Sequence, residues 1–214
     1  MRIAVIGWGS LVWCPGCLQI RSKWYADGPE LPIEFARISE DGRLTLVIYS
    51  GPPEHPTPVQ RTYWALSALD EMQASRQNLH LREGKPEMKY IVSVTREGVE
   101  EGTIEPNTSN RIRAWLQSRK DVDAAIWTGL DTKWPSWAPG DKFSHENAIT
   151  YLQRLESEKS QTAATLSRFR EYICNTPSQV DTPLRKKLRT MGCEDAKLPT
   201  VLFEESQKKP EEAR

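Results

Sequence analysis

The sequence predicts an α+β fold in which a mixed, partly barrel-like β-sheet is flanked by helices and followed by a helical C-terminal extension. Short runs of β-branched and aromatic residues fill the first third of the chain, one helical segment interrupts the strands, and helical periodicity dominates residues 145–192. Because strands adjacent in sequence dominate, we expect the sheet to curl and enclose a pocket. The predicted organisation is one domain over residues 1–143, a helical extension over 144–203 packed on it, and a charged, disordered tail over 204–214.

The first element is a short strand over residues 3–6, followed by the turn Gly7-Trp8-Gly9-Ser10 and then by apolar residues from Leu11. Glycine removes the Cβ that would hold a ligand away from the main chain, and successive N–H groups in such a turn can bind an anion. Two other interpretations compete. The glycines can serve only a tight turn, or they can belong to a dinucleotide-binding fingerprint. The fingerprint fails on spacing, because Val12 occupies the position of its third glycine.

Three further strands are predicted over residues 31–39, 43–49 and 59–66. Asp41-Gly42, between the first two, is a strong hairpin signal. Residues 51–58 contain four prolines and must form a loop. We therefore expect a run of adjacent strands that pair antiparallel in part.

A helix is predicted to begin near Ser67, with Ser67 or a neighbour as its cap and two acidic residues in its first turn. It ends at Gly84, because Lys85-Pro86 forbids continuation. Glu83 therefore falls in the last turn, where the helix dipole disfavours a carboxylate and its proton affinity should rise. That would suit a general base. The alternative is an ordinary surface ion pair with Arg82 or Lys85.

A second candidate acid is Glu34, which alternates with apolar neighbours inside a predicted strand, with Arg37 as its candidate counter-charge. The remaining elements are a strand over 90–94, a helix capped by Thr108 or Ser109, and a strand over 124–130. A rigid aromatic loop over 134–140 and the helices of the extension follow. The apolar stripes of the extension are predicted to contain Ile149, Leu152 and Leu155 in one helix and Leu166, Phe169 and Ile173 in another.

Composition excludes several classes of function. The 214 residues contain 29 Lys plus Arg and 29 Asp plus Glu, so the formal charge is zero and nucleic acid is not an expected partner. The basic run at residues 185–189 is interpreted as the solvated face of a helix. The sequence contains no apolar run of transmembrane length and no signal peptide, so we expect no membrane partner and a cytoplasmic location.

Cys14-Pro15-Gly16-Cys17 is either half of a zinc site or a redox couple. Zinc is disfavoured because the other two cysteines stand apart and the three histidines are scattered. A redox couple would stand at a helix start directly after a strand. The glycine turn already occupies that place, so our interpretation is a loop that holds two thiols.

Together, these motifs resemble the γ-glutamylcyclotransferase-like family. The resemblance rests on a Gly-x-Gly-Ser-Leu turn directly after the first strand, a later strand ending near Ala65-Leu66, and a helix that closes in Leu-Arg-Glu-Gly. Members of that family typically show Tyr-Gly-Ser-Asn/Leu in the first loop and a single essential glutamate downstream. Trp8 replaces the usual tyrosine, which keeps an aromatic wall but loses a hydroxyl. The resemblance covers residues 3–95, with weaker support at 127–130.

The resemblance implies an intramolecular aminolysis that releases 5-oxoproline from a γ-glutamyl small molecule. Glu83 would be the catalytic acid and base, and no metal or other cofactor would be required. The substrate-binding residues implied are Gly7, Trp8, Gly9, Ser10 and Leu11. Trp13, Trp134 and Trp137 are candidate walls around the leaving group, whose identity stays open together with the oligomeric state.

Two alternative functions stay open. One is a non-catalytic small-molecule or protein binding module on the same fold, which would use the C-terminal helices to engage another protein. The other is a thiol-redox protein that uses Cys14 and Cys17.

Overall fold

A computed structural model describes residues 1–103, 105–189 and 203–204. Among these residues the chain forms ten strands and six helices. The strands are β1 (Ile3–Gly7), β2 (Trp24–Tyr25), β3 (Glu30–Ile38), β4 (Leu44–Ile48), β5 (Val59–Arg61), β6 (Tyr63–Leu66), β7 (Ile91–Thr95), β8 (Glu100–Glu101), β9 (Ala124–Thr128) and β10 (Phe203–Glu204). The helices are α1 (Ser10–Trp13), α2 (Met72–Arg82), α3 (Pro106–Gln117), α4 (His145–Ser157), α5 (Lys159–Asn175) and α6 (Pro183–Arg189).

The strands form two sheets. A seven-stranded sheet has the order β10-β2-β6-β1-β9-β7-β8, and a three-stranded sheet has the order β4-β3-β5. The all-apolar strand β1 is buried along its whole length between the antiparallel β6 and the parallel β9. The predicted α+β class with a mixed sheet is therefore confirmed.

The partly barrel-like closure is not observed, because the described strands form two sheets and no closed barrel. The reason lies in the segment predicted as one strand over residues 59–66, which divides at Thr62. The Thr62 hydroxyl donates to the carbonyl of Pro29 at 2.7 Å, and the Gly28 N–H donates to the Thr62 carbonyl at 3.0 Å. As a result β5 pairs with β3 in one sheet while β6 pairs with β1 in the other.

The predicted hairpin at Asp41-Gly42 is confirmed. Strands β3 and β4 pair antiparallel on either side of it, with a shift in register between Glu34 and Arg37. Gly42 has φ +82°, a conformation that residues with a Cβ rarely adopt. The turn at Gly42 therefore sets the register of β4 against β3, and with it which β4 residues face the core.

Two predicted helix starts are wrong. Helix α2 begins at Met72 rather than near Ser67, because the Ser67 hydroxyl accepts from Leu69 N–H at 3.0 Å and so caps a separate turn. Helix α3 begins at Pro106, and the carboxylate of Glu105 accepts from the N–H of Thr108 at 2.7 Å. A proline at the first helical position directly after an acidic cap explains the earlier start of α3.

The extension contains the predicted helices. Ser144 caps α4 by accepting from the N–H of Asn147 at 3.1 Å. The predicted stripe residues Leu152 and Leu155 of α4 and Phe169 and Ile173 of α5 are buried. Of the tail predicted to be disordered, Glu204 belongs to β10, and residues 205–214 lie outside the described residues.

The interpretation of residues 185–189 as a solvated helix face is wrong for Arg185, which has no exposed surface. Its guanidinium donates to the carbonyls of Pro177 at 2.7 Å, Val180 at 2.9 Å and Thr176 at 2.5 Å. These bonds compensate for burying a charge and hold the turn between α5 and α6. Among the helices that the structure describes, none combines the length and apolar character needed to cross a bilayer.

Candidate functional site

The predicted substrate-binding residues and the predicted catalytic acid converge on one cleft. Its volume is about 60 Å³, and it opens into a wider basin of about 760 Å³ with which it shares six lining residues. The cleft is lined by all of the predicted substrate-binding residues and the predicted catalytic acid, namely Gly7, Trp8, Gly9, Ser10, Leu11 and Glu83. The remaining wall consists of Ile6, Leu46, Val47, Thr128, Leu130 and Tyr172.

The turn is positioned by the central strand β1, which ends at Gly7, and by α1, which begins at Ser10. A Cβ on Gly7 would lie 3.0 Å from the Trp24 ring, and a Cβ on Gly9 would lie 2.5 Å from the Tyr172 hydroxyl oxygen. Gly9 has φ −128°, so it is not required for a left-handed turn. Both glycines instead permit the close approach of a side chain to the backbone.

Trp8 forms part of the wall rather than an exposed ring. Only 6% of its surface is exposed, and its indole N–H donates to the carbonyl of Leu46 at 3.4 Å. This contact joins the turn to strand β4 across the cleft. The aromatic wall expected at this position is present, and the polar atom of Trp8 is used within the protein.

Helix α2 delivers Glu83, which lies at its C-terminal cap, followed by Gly84 with φ +77°. The helix is attached to the loop after α1 by Asn78, whose side chain accepts from Gln19 N–H at 2.8 Å and donates to the Cys17 carbonyl at 3.0 Å. Because α2 ends at Arg82 and Glu83 is its C-cap, the predicted end of the helix near Gly84 is confirmed. Its attachment brings the glutamate to the glycine turn.

Arg82 connects the two halves of the site. It donates to the Glu83 carboxylate at 2.9 Å, to the Ser10 hydroxyl at 3.2 Å and to the Cys14 carbonyl at 2.7 Å. The side chains of Arg82 and Glu83 are only 13% and 17% exposed. The ion pair that we considered as the alternative for Glu83 is thus present, but it is largely buried, with Glu83 in the cleft and Arg82 in the adjoining basin.

The pKa of Glu83 is raised above its ordinary value of 4.5. Burial is the largest cause, because it penalises the charged form, and the charge and hydrogen bond of Arg82 act in the opposite direction. The pKa is raised as predicted, but the cause is burial and not the helix dipole on which the prediction was based. A buried carboxyl group of raised proton affinity can accept a proton from a ligand and return it.

Searches against family models, curated proteins and solved structures found no match to this chain. The arrangement places the glycine turn and a buried carboxylate in the same small cleft. It can therefore hold a small ligand by an anionic group and exchange one proton with it.

Sequence reasoning missed Tyr172, which reaches the cleft from helix α5. Its ring packs edge-to-face against Trp13, with centroids 5.0 Å apart, and against Phe35 at 6.1 Å. Tyr172 lies three residues after Phe169 and directly before Ile173, so helical periodicity places it beside the predicted apolar stripe. A residue with a polar atom beside an apolar stripe is the signal that could have identified it.

The second candidate acid, Glu34, is not among the cleft residues. It has no exposed surface, and its Oε2 lies 2.9 Å from His145 Nε2 and accepts from Leu184 N–H at 3.3 Å. Its predicted counter-charge, Arg37, instead donates to the carbonyl of Asp131 at 3.1 Å and lines the basin. Glu34 therefore joins the extension to strand β3.

The other candidate residues lie outside the cleft lining. Cys14 and Cys17 are exposed free thiols. Trp137 is 56% exposed, Trp134 packs on Phe143 at 5.7 Å, and Trp13 supports Tyr172. In the part of the chain that the structure describes, no cluster of three or more His, Cys, Asp or Glu side chains is placed to hold a metal ion.

Proposed function

We propose that this protein is a γ-glutamylcyclotransferase-type enzyme that cleaves a γ-glutamyl small molecule and releases 5-oxoproline. The proposal rests on one observation. Glu83 and the Gly9-Ser10 turn, which are distant in sequence, line the same cleft, and Arg82 bonds to both of them.

The proposed reaction is an intramolecular aminolysis. The α-amine of the glutamyl group attacks its own γ-carbonyl, a ring C–N bond forms, and the original amide C–N bond breaks. Glu83 takes a proton from the attacking amine and returns it to the leaving nitrogen, so atoms and charges balance. Because the two reacting groups belong to one molecule, the protein needs only to hold the folded conformer and move this proton.

The two cavities suggest where each part of the substrate would bind. The small inner cleft would hold the glutamyl group with its α-carboxylate at the N–H groups of the turn. The wider basin would hold the leaving group. Side chains of both charges line this basin, among them Arg37, Arg43, Lys85, Glu40, Asp41 and Glu87.

The test is 5-oxoproline release from a panel of γ-glutamyl amino acids, peptides and amines by wild type and by Glu83→Gln. Loss of the proton shuttle is expected to lower the release rate by about 10²- to 10⁴-fold. The matched control is Glu71→Gln, because Glu71 is an exposed glutamate at the opposite end of the same helix and makes no capping bond through its side chain. The control should retain the wild-type rate.

Release by wild type that disappears in Glu83→Gln would support both the reaction and the role of the residue. Release that survives in Glu83→Gln would remove the assigned role. No release from any compound by folded wild type would overturn the proposed reaction and favour the alternative of a non-catalytic binding module.

A further inference from the structure

We propose that Tyr172, on the C-terminal helix α5, is a ligand-binding residue of the cleft. Its hydroxyl would donate a hydrogen bond to a carboxylate or carbonyl oxygen of the ligand held at the Gly9-Ser10 turn. This inference rests on the ligand-binding part of the proposed function. It assigns part of the site to the extension, which sequence reasoning placed outside the resemblance to the family core.

The position of the hydroxyl is the first argument. Tyr172 lines both the inner cleft and the basin, together with Glu83. A Cβ built on Gly9 would lie 2.5 Å from the Tyr172 hydroxyl oxygen and 3.5 Å from the ring carbon that bears it. The hydroxyl oxygen therefore lies directly against the turn. A ligand bound beside the turn would have its oxygens near this hydroxyl.

The ring is held rigidly, which is the second argument. Trp13 and Phe35 contact it edge-to-face with interplanar angles of 75° and 78°. The guanidinium of Arg43 lies 5.5 Å from the ring centroid. Only 7% of the surface of Tyr172 is exposed. Because the ring is already fixed, its hydroxyl can bind a ligand without a further loss of side-chain freedom.

The third argument is the hydrogen-bonding capacity of the phenol. A tyrosine hydroxyl has two acceptor positions and one donor. The backbone of Leu46 and of Ser10 lies near this oxygen and favours the phenolate. In the described part of the chain, no residue accepts a hydrogen bond from this hydroxyl. The donor is therefore available to an oxygen of the ligand.

The protonation state agrees with a donor. Burial and the negative charge of Glu83 raise the pKa of Tyr172, and the nearby backbone and Arg43 oppose them. Since the ordinary pKa of tyrosine is already 10.0, the hydroxyl keeps its proton at neutral pH. A neutral phenol would bind a ligand oxygen without adding a negative charge to the cleft.

The test compares wild type with Tyr172→Phe, which removes one oxygen and retains the ring contacts. Calorimetric titration with 5-oxoproline and, separately, with L-glutamate measures binding without turnover. Loss of a hydrogen bond to a charged oxygen should weaken binding by roughly 10- to 100-fold. The control is Tyr49→Phe, because Tyr49 lines a different cavity. The control should bind as wild type does, and thermal melting should show both variants folded.

A second measurement separates a binding role from a merely structural one. If the protein releases 5-oxoproline, Tyr172→Phe should raise KM by a similar factor and change kcat less. Equal binding by wild type and Tyr172→Phe, or an unchanged KM, would overturn the inference and leave the proposed reaction standing. Weaker binding by the variant in a protein without release would support the inference while the proposed reaction fails. If wild type binds neither probe, the inference fails as well.

Discussion

The contact between Gly9 and Tyr172 can be tested without any ligand, by placing alanine at position 9 in wild type and in Tyr172→Phe. The new Cβ would lie 2.5 Å from the hydroxyl oxygen, which is shorter than any contact that a real Cβ makes. The ring cannot move freely because Trp13 and Phe35 hold it. Overpacking of this kind destabilises a protein by about 1–3 kcal/mol.

Removing the hydroxyl should remove most of this penalty. In Tyr172→Phe the nearest remaining neighbours of the Cβ are a ring carbon at 3.5 Å and Leu46 Cδ1 at 3.7 Å, both ordinary contacts. In that background Gly9→Ala should be neutral or should stabilise by about 0.4–1 kcal/mol, because alanine restricts the unfolded chain. The double-mutant cycle should therefore give a favourable coupling of about 1–3 kcal/mol.

Thermal melting and urea denaturation of the four proteins measure the coupling. For a chain of this size each kcal/mol corresponds to a shift in Tm of roughly 2–4 °C. Gly9→Ala alone should melt several degrees below wild type, and adding Tyr172→Phe should restore the loss. Additive effects of the two changes would show that the hydroxyl does not lie against the turn, and the assignment of Tyr172 to the cleft would be refuted.

Two predictions concern the pKa of Glu83. Because Arg82 lowers that pKa, Arg82→Met should shift the acidic limb of the pH–rate profile of 5-oxoproline release to higher pH; an unshifted limb would contradict this. Arg21→Met, which removes only an exposed ion pair with Asp70, is the control. Burial raises the pKa of Glu83 in the folded protein above 4.5. The contribution of Glu83 to the free energy of unfolding is therefore largest below pH 4.5 and decreases as the pH rises. In urea titrations, Glu83→Gln should therefore gain stability relative to wild type as the pH rises above 4.5. A stability difference that does not change with pH would contradict this prediction.

The features that were predicted correctly depend on neighbours in sequence. The hairpin at Asp41-Gly42 and the end of α2 shortly before Gly84 follow from residues that adopt unusual backbone angles, and such signals are local. The convergence of Glu83 on the glycine turn was implied by resemblance to a family, not by spacing. Its structural cause is Asn78, whose two bonds to the loop after α1 have no signature in the sequence.

The features that were missed depend on tertiary contacts. Thr62 divides a segment that has uniform strand propensity, because its partner is the carbonyl of Pro29, directly before β3. Arg185 is buried within a basic run because three backbone carbonyls surround it. Tyr172 reaches a turn at the opposite end of the chain. Charge patterns and periodicity describe one element at a time, so none of these contacts could be derived from them.

The extension cannot be removed to test its part in the site, and Glu34 gives the reason. This carboxylate has no exposed surface, and its partners His145 and Leu184 both belong to the extension. Truncation would remove both partners and would also expose the apolar core surface that the extension covers, which destabilises the rest of the chain. Loss of activity on truncation would thus report unfolding. Only changes such as Tyr172→Phe, which leave the partners of Glu34 in place, separate the contribution of the extension to the site from its contribution to stability.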